Sequence, residues 1–365
     1  MKKSFITFLC ISTFSGSIAA QNKSISQRTK QHPKNIILLI GDGMGTSQIY
    51  AGLTANKGTL NLERCKSIGF HKNQSADNYV TDSGAGATAF SIGKKTYNGA
   101  IGVDATKLAH TTILEMAVKN KLATGLVVSC SITHATPASF IAHQTSRGMV
   151  EEIANDFLKT SIDVFIGGGK NHFDHRKDGK NLLDSLREKG YQVQDTLPEI
   201  TRIKSGKLAG FIAMEEPPKV SEGRGDQLLQ STQTALHILQ QNKKGFFLMI
   251  EGSQIDWGAH ANDGDYVIKE MLDFDKAIGA ALDFAEKDGN TLVIITADHE
   301  TGGLALTGGD MKTGNVEMKF ITKSHTGTMI PVFAVGPQAE TFSGIYENTD
   351  IFLKMKDAFG FAKMQ

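Results

Sequence analysis

An α/β fold, a three-layer sandwich with one mostly parallel central sheet and helices on both faces, is predicted from three observations. Short runs rich in Val, Ile, Leu or Phe recur along the chain, segments with helical periodicity separate them, and most runs are followed at once by Gly, Glu, Ser or Ala-Asp. Runs without polar alternation read as strands buried on both faces, and regular strand–helix alternation gives parallel pairing.

The strand runs are residues 35–40, 124–130, 163–166, 246–250, 291–296 and 331–335. The helical segments are 111–120, 148–159, 226–241 and 266–287. Residues 167–179 and 196–222 read as loop-rich insertions rather than domain boundaries. The composition supports a globular chain: 365 residues, 40% hydrophobic and 21% charged. Lys+Arg is 39 and Asp+Glu 38, a net charge of +1, so no broad electrostatic footprint for nucleic acid or an anionic membrane is available. Glycine is abundant, 38 against 7 Pro, which suits tight strand-to-helix turns and close backbone approach to a ligand.

The N-terminus has the order of a secretory signal. Lys2 and Lys3 precede an apolar run at residues 5–14, and small residues lead to Ala19 and Ala20. The run is shorter than the ~20 residues that span a bilayer, so no stable membrane anchor is expected. The expected organisation is a signal peptide over 1–20, a polar leader over 21–34 and a single domain over 35–365, exported to a periplasm or the exterior. Cys65 and Cys130 would remain after cleavage. Export permits them to pair, although Cys130 closes an apolar run and reads as a buried thiol. No Cys-x-x-Cys or Cys/His cluster argues for cysteine-based zinc.

Ligands of open α/β sheets bind beyond the carboxyl ends of the strands. There the chain places Asp42, then His134 and Thr136, then Glu251, Asp256, Trp257 and His260, then Asp298 and His299, with His325 ahead of the last run. Asp256 and His260 are four residues apart, so on a helix they share a face and can grip one ion. His325 would complete that zinc site with a position left open. Asp298, His299 and Asp42 make a second zinc set, and Asp42, Thr136 and Glu251 offer only oxygen, which suits Mg²⁺. Each fragment alone is weak, and most remaining histidines (His32, His71, His172, His175, His237) are expected to be ordinary solvated side chains. Convergence of separate segments on one rim carries the argument.

Ser83 heads the small-residue run Ser83-Gly84-Ala85-Gly86-Ala87, placing its hydroxyl at a helix N-terminus with outward N–H groups. Gly-x-Ser-x-Gly fails, because Thr81 and Ala85 hold its glycine positions. Arg147, expected at a helix start, can hold two nonbridging phosphate oxygens.

Asp82-Ser83 with its Gly/Ala run, Lys95-Thr96-Tyr97-Asn98-Gly99, Thr133-His134-Ala135-Thr136-Pro137, Glu251-Gly252-Ser253-Gln254-Ile255-Asp256, Thr296-Ala297-Asp298-His299 and His325-Thr326-Gly327 together resemble the alkaline phosphatases, in the family's order. The likeness covers nearly the whole mature chain and is strongest to the compact bacterial branch that includes cold-adapted marine enzymes. It implies the alkaline-phosphatase form of the sandwich and hydrolysis of phosphate monoesters through a phosphoserine at Ser83. It also implies Arg147 as the phosphate-binding arginine, and two zinc ions and one magnesium per subunit on the ligand sets above. His134 and Trp257 stand where some members carry Asp and Lys. His134 would contact the third ion's water shell, or ligate it and favour zinc or cobalt, and Trp257 would loosen phosphate retention. Only 25 positions separate His299 from His325, so the large crown insertion should be absent, and the usual homodimer would have less interface. Phosphodiester cleavage, or another phosphoryl or sulfuryl transfer on the same scaffold, is the nearest rival. A non-catalytic exported phosphate or metal binder is the rival from another class.

Overall fold

A computed structural model describes residues 31–361. The signal-peptide reading of residues 1–20, and the leader up to residue 30, lie outside the described residues. The strands in chain order are β1 (Asn35–Gly41), β2 (Ser67–Lys72), β3 (Ala123–Ser131), β4 (Val164–Gly168), β5 (Tyr191–Gln194), β6 (Lys207–Phe211), β7 (Phe246–Gly252), β8 (Thr291–Thr296), β9 (Glu300–Thr301), β10 (Ala305–Asp310), β11 (Asn315–Lys319), β12 (His325–Thr326), β13 (Ile330–Val335) and β14 (Gly344–Glu347). Ten of them form one sheet in the order β14-β2-β13-β8-β1-β7-β3-β4-β6-β5. From β8 to β5 every pairing is parallel. β13 runs antiparallel to β8 and β2, which makes the sheet mostly rather than wholly parallel.

Burial on both faces explains the unbroken apolar runs. Along β1, Ile36, Leu38 and Ile40 enter one core with Phe90, while Ile37 and Leu39 enter the other with Phe274. The two-residue period of a strand sends successive side chains to opposite helical layers. The Ser83–Ile92 helix covers the first face, and all its residues are buried. The Gly264–Asp288 helix covers the second; the Asp263 carboxylate accepts from Tyr266 N at its start and Gly289, at φ 71°, ends it.

Three of the four foreseen helices are shorter than their periodic stretches, as with Ile113–Lys119, started by reciprocal bonds between Thr112 and Glu115, whereas Gly264–Asp288 runs slightly beyond its 266–287 stretch. The stretch 196–222, read as loop, contains the Leu197–Arg202 helix and β6. Lys207-Leu208-Ala209-Gly210-Phe211 is short and begins with a charge, so its hydrophobic signal is slight. β2, β5 and β14 were likewise unforeseen, being short or mixed in polarity. The segment between His299 and His325 holds the exposed β10–β11 hairpin. Cys65 and Cys130 are both buried free thiols, so the permitted disulfide is not formed.

His71 corrects the expectation of a solvated side chain. It lies on β2 between β13 and β14, fully buried, edge-on to Phe90 at 5.3 Å, with Nε2 donating to Ala297 O at 2.9 Å. Burial pushes its pKa down from 6.5 to about 4. The unfolded chain takes up this proton first, so the stabilisation is complete above pH 6.5 and is lost as pH falls toward 4, on the order of 3 kcal/mol in full. Denaturant titrations at pH 7 and pH 5 should show a smaller loss of stability in His71→Gln than in wild type. Equal losses would mean that His71 does not set this limb.

Candidate active site

The expected rim is where the side chains converge. Asp42 follows β1, Glu251 lies near the end of β7, and Asp298 and His299 follow β8. Asp256 and His260 lie on the Gln254–His260 helix. His325 returns on β12, which pairs antiparallel with β9. Two glycines permit the close approach. Gly43 adopts φ +71°, and a Cβ there would meet Asp256 Cα at 2.8 Å. A Cβ on Gly86 would meet Asp298 Cβ at 3.0 Å, so only glycine lets the Ser83 helix sit this close.

Three groups able to hold a metal ion occur among the described residues: Asp42, Asp298 and His299; Asp256, His299 and His325; and Cys130, His134 and Glu251. The first is an expected set. In the second, His260 joins from the side, its Nε2 3.3 Å from Asp256 Oδ1 and 3.1 Å from His325 Nε2. The third differs from the expected all-oxygen set, because a thiol and an imidazole stand beside Glu251. Thr136, on the Ala135–Ala138 turn of helix, keeps a buried hydroxyl without a hydrogen-bond partner.

The hydrogen bonds fix which ring nitrogens face the cluster. His260 Nδ1 donates to Lys323 O at 2.6 Å and His325 Nδ1 to Thr81 O at 2.9 Å. In the neutral rings both Nε2 lone pairs then point inward. Thr301 Oγ1 donates to Asp256 Oδ1 and receives the His299 Nδ1 proton at 3.2 Å. That leaves His299 Nε2 as a lone pair, 3.3 Å from Asp42 Oδ1 and 3.4 Å from Asp298 Oδ2. Both Asp42 oxygens, Asp298 Oδ2 and Glu251 Oε1 are buried without hydrogen-bond partners. Such groups need cations, and the donor chemistry fits zinc at the imidazole-bearing sets.

The surroundings shift the acidities of these groups in line with the same demand. Burial and then neighbouring carboxylates raise Asp42 well above its usual range, and burial pushes Asp298 to about 7 and Glu251 to about 8. Burial also acts to raise Asp256, but its hydrogen bond to His260 and the surrounding imidazoles hold it well down. The same hydrogen bond lifts His260 to about 9. Burial and the Arg147 charge push His134 down to about 4.

Ser83 opens its helix, 2% exposed, with Oγ 3.2 Å from His299 Nε2. Asp82 caps that helix through Oδ1, which accepts from Ala85 N at 2.9 Å and Gly99 N at 3.0 Å. Its Oδ2 accepts from Arg147 Nη1 at 2.9 Å. Arg147 therefore reaches the flank of Ser83, although it lies in the loop ahead of the Val150–Asp156 helix rather than at the helix start. Its Nη2 is 3.3 Å from His134 Nε2, and His134 stands edge-on to Trp257 at 6.1 Å.

Fold and cluster define a metal-dependent hydrolase built on an open α/β sheet. The sequence profile of the alkaline phosphatase family matches residues 33–319. Alkaline phosphatase 3 of Bacillus subtilis is 36% identical over an alignment covering 92% of this chain and 91% of its own. The alkaline phosphatase of Escherichia coli is 36% identical, with 94% and 88% covered. Among solved structures, the alkaline phosphatase of the Antarctic bacterium TAB5 is 45% identical with a TM-score of 0.86, covering 91% of this chain and 99% of that one. A variant of that enzyme with one histidine replaced by aspartate has Mg bound in its M3 site. The chain belongs to the alkaline phosphatase family and is an enzyme that hydrolyses phosphate monoesters.

Glu300 was not singled out in the sequence. Its buried carboxylate accepts from Gln48 Nε2 at 2.8 Å, Leu304 N at 3.1 Å, Gly303 N at 3.2 Å and Thr326 Oγ1. Gln48 Nε2 also donates to Thr301 O at 2.8 Å. Glu300 thereby ties the β9 turn, which carries Thr301, to the strand that carries His325. An acidic residue one place beyond Asp298-His299 gave a signal, but it could not be told from a further ligand. Removing support of this kind typically costs ~10–100-fold in metal affinity. Glu300→Ala should need correspondingly less chelator to lose its bound metal and should melt earlier, and unchanged chelator competition would exclude this supporting role.

Proposed function

We propose that this enzyme cleaves phosphate monoesters by double displacement at Ser83, with two zinc ions and a third ion, magnesium, held by the clustered donors. The observation that carries the reading is Ser83 Oγ lying 3.2 Å from His299 Nε2, at the start of its helix, with Arg147 anchored beside it by Asp82. Asp42, Asp298 and His299 would hold the zinc nearer Ser83, and Asp256, His260 and His325 the other. Asp42, Thr136 and Glu251 would hold the third ion. When bound, these ions favour the serine alkoxide, activate water and neutralise charge on the departing oxygen.

The chain's own groups do the positioning. Arg147, with two of its N–H groups directed at Asp82 and His134, has the rest for two nonbridging phosphate oxygens. The first N–H groups of the Ser83–Ile92 helix add positive potential where charge collects. Ser83 Oγ bonds to phosphorus as the ester P–O bond breaks, and the alkoxide leaves and takes a proton. Water then attacks phosphorylated Ser83 from the side the alcohol vacated, releasing inorganic phosphate and restoring the hydroxyl. Trp257 offers the phosphate no charge, which supports ready product release. Export, homodimeric assembly and a single catalytic domain over 35–365 belong to the same reading.

Acid quenching during turnover should trap phosphate on Ser83, detectable by mass spectrometry of its peptide. Ser83→Ala should lose that adduct and nearly all turnover, while Arg147→Ala should lose about 10²–10³-fold in kcat/KM. Full activity of Ser83→Ala would refute the mechanism. kcat/KM for p-nitrophenyl phosphate should greatly exceed that for its bis-ester; the reverse would favour the diesterase alternative. Trp257→Lys should be inhibited more strongly by inorganic phosphate, and unchanged inhibition would remove Trp257 from product release.

A further inference from the structure

We propose that Cys130 is a direct thiolate ligand of the third ion, beside His134 and Glu251, so that zinc or cobalt takes the place given to magnesium in the reading above. The inference rests on the alkaline phosphatase reading above and alters it by adding a ligand type. Cys130 Sγ, a ring nitrogen of His134 and a carboxylate oxygen of Glu251 lie within 4.8 Å of one another. Cys130 sits near the end of β3, and Glu251 pairs from β7 with Val128 on the same strand. Cys130 Sγ is 3.4 Å from Glu251 Oε2. Zinc–sulfur and zinc–oxygen distances near 2.3 and 2.0 Å at a tetrahedral angle separate sulfur and oxygen by about 3.5 Å, so the gap already suits one shared ion.

Three independent atoms point to a ligand. His134 Nδ1, Glu251 Oε1 and Thr136 Oγ1 are buried and have no hydrogen-bond partner. Magnesium, octahedral and served by oxygen, has no use for the sulfur and imidazole. Thiolate and imidazole together select zinc or cobalt. The plain alternative is a packing thiol whose S–H points at Ser131 O, 3.3 Å away, or at Glu251 Oε2. Ion binding would displace the thiol proton and form one metal–sulfur bond, with no electron transferred. It would also reach the substrate side. A ring that gives one nitrogen to an ion carries its proton on the other, so His134 would cease to accept from Arg147 Nη2, and the guanidinium would be released toward phosphate.

The test loads stripped enzyme stepwise with Co²⁺ and follows near-ultraviolet sulfur-to-cobalt charge transfer beside metal content and p-nitrophenyl phosphate turnover. Charge transfer should appear with the third equivalent, survive excess Mg²⁺, and be absent in Cys130→Ser and Cys130→Ala. Those variants should hold two cobalt ions and exchange the third for magnesium. Absence of the band in wild type, its persistence in both variants, or its removal by Mg²⁺ would overturn the proposal, and the wild-type spectrum decides even if a variant misfolds. Activity that vanishes on stripping and returns with metal but without the band would sink only the thiolate ligand. Full activity in the stripped enzyme would instead sink the metal-dependent reading beneath it.

Discussion

Uncompensated negative charge at the carboxyl ends of β1, β7 and β8 is the constraint on which the rest of the structure depends. Asp42, Glu251 and Asp298 are each fully buried, and all carry oxygens without protein donors. The inward-facing nitrogen of His299 presents a lone pair, and the proton that His260 carries is directed at Asp256, so these three carboxylates keep oxygens that no protein cation answers. Burying carboxylates this way costs several kcal/mol per group unless an ion compensates. The stability of the folded rim is thereby coupled to divalent ions, as in other sites whose ligands are brought together only by folding.

The fold supplies the rigidity that such a cluster requires. β1 is hydrogen-bonded on both sides, to β7 and to β8, so Asp42, Glu251 and Asp298 issue from three neighbouring strands whose relative register is fixed. Helices are drawn in until only glycine fits, at Gly43 and Gly86. Around this frame the imidazoles are held by backbone carbonyls and by Thr301, itself held through Gln48 and Glu300. The orientation of His299 is therefore set by a run of hydrogen bonds through Thr301 and Gln48 to Glu300.

Much of this was legible from the amino-acid order, because its signals are local. Buried parallel strands give unbroken apolar runs, and a candidate ligand following such a run is read directly, as with Asp42 after β1 and Asp298 after β8. The Asp256–His260 spacing survives as adjacent turns of one helix. Non-local relations were not legible. Nothing near Cys130 says that Glu251 lies against its sulfur, since β3 and β7 are separated by more than a hundred residues and meet only in the sheet. His71 looked ordinary because β2 has no strong apolar pattern, yet its position between two strands buries the ring. Glu300 went unremarked because its role depends on Gln48 and Thr326, which lie far from it or in another strand and meet it only in the fold.

The burial of the two zinc-suited sets is unequal, and the inequality matches the proposed chemistry. Asp42, Asp298 and His299 are fully buried beside Ser83, whereas His260 has 38% of its side chain exposed. Charge developing on Ser83 Oγ would then be met among fully buried groups, where the dielectric is low and fixed charges act most strongly. On the proposed mechanism the leaving group would depart toward the more exposed set, where exposed Tyr79 and Ile321 lie against Gly327 and Gly303, just after β12 and β9. A wall closed around the phosphoryl group and open toward its ester recognises the group being transferred and imposes little on the alcohol. On this reading a breadth of monoester substrates would follow from the difference in burial, and any preference would come from exposed side chains such as Tyr79 and Ile321.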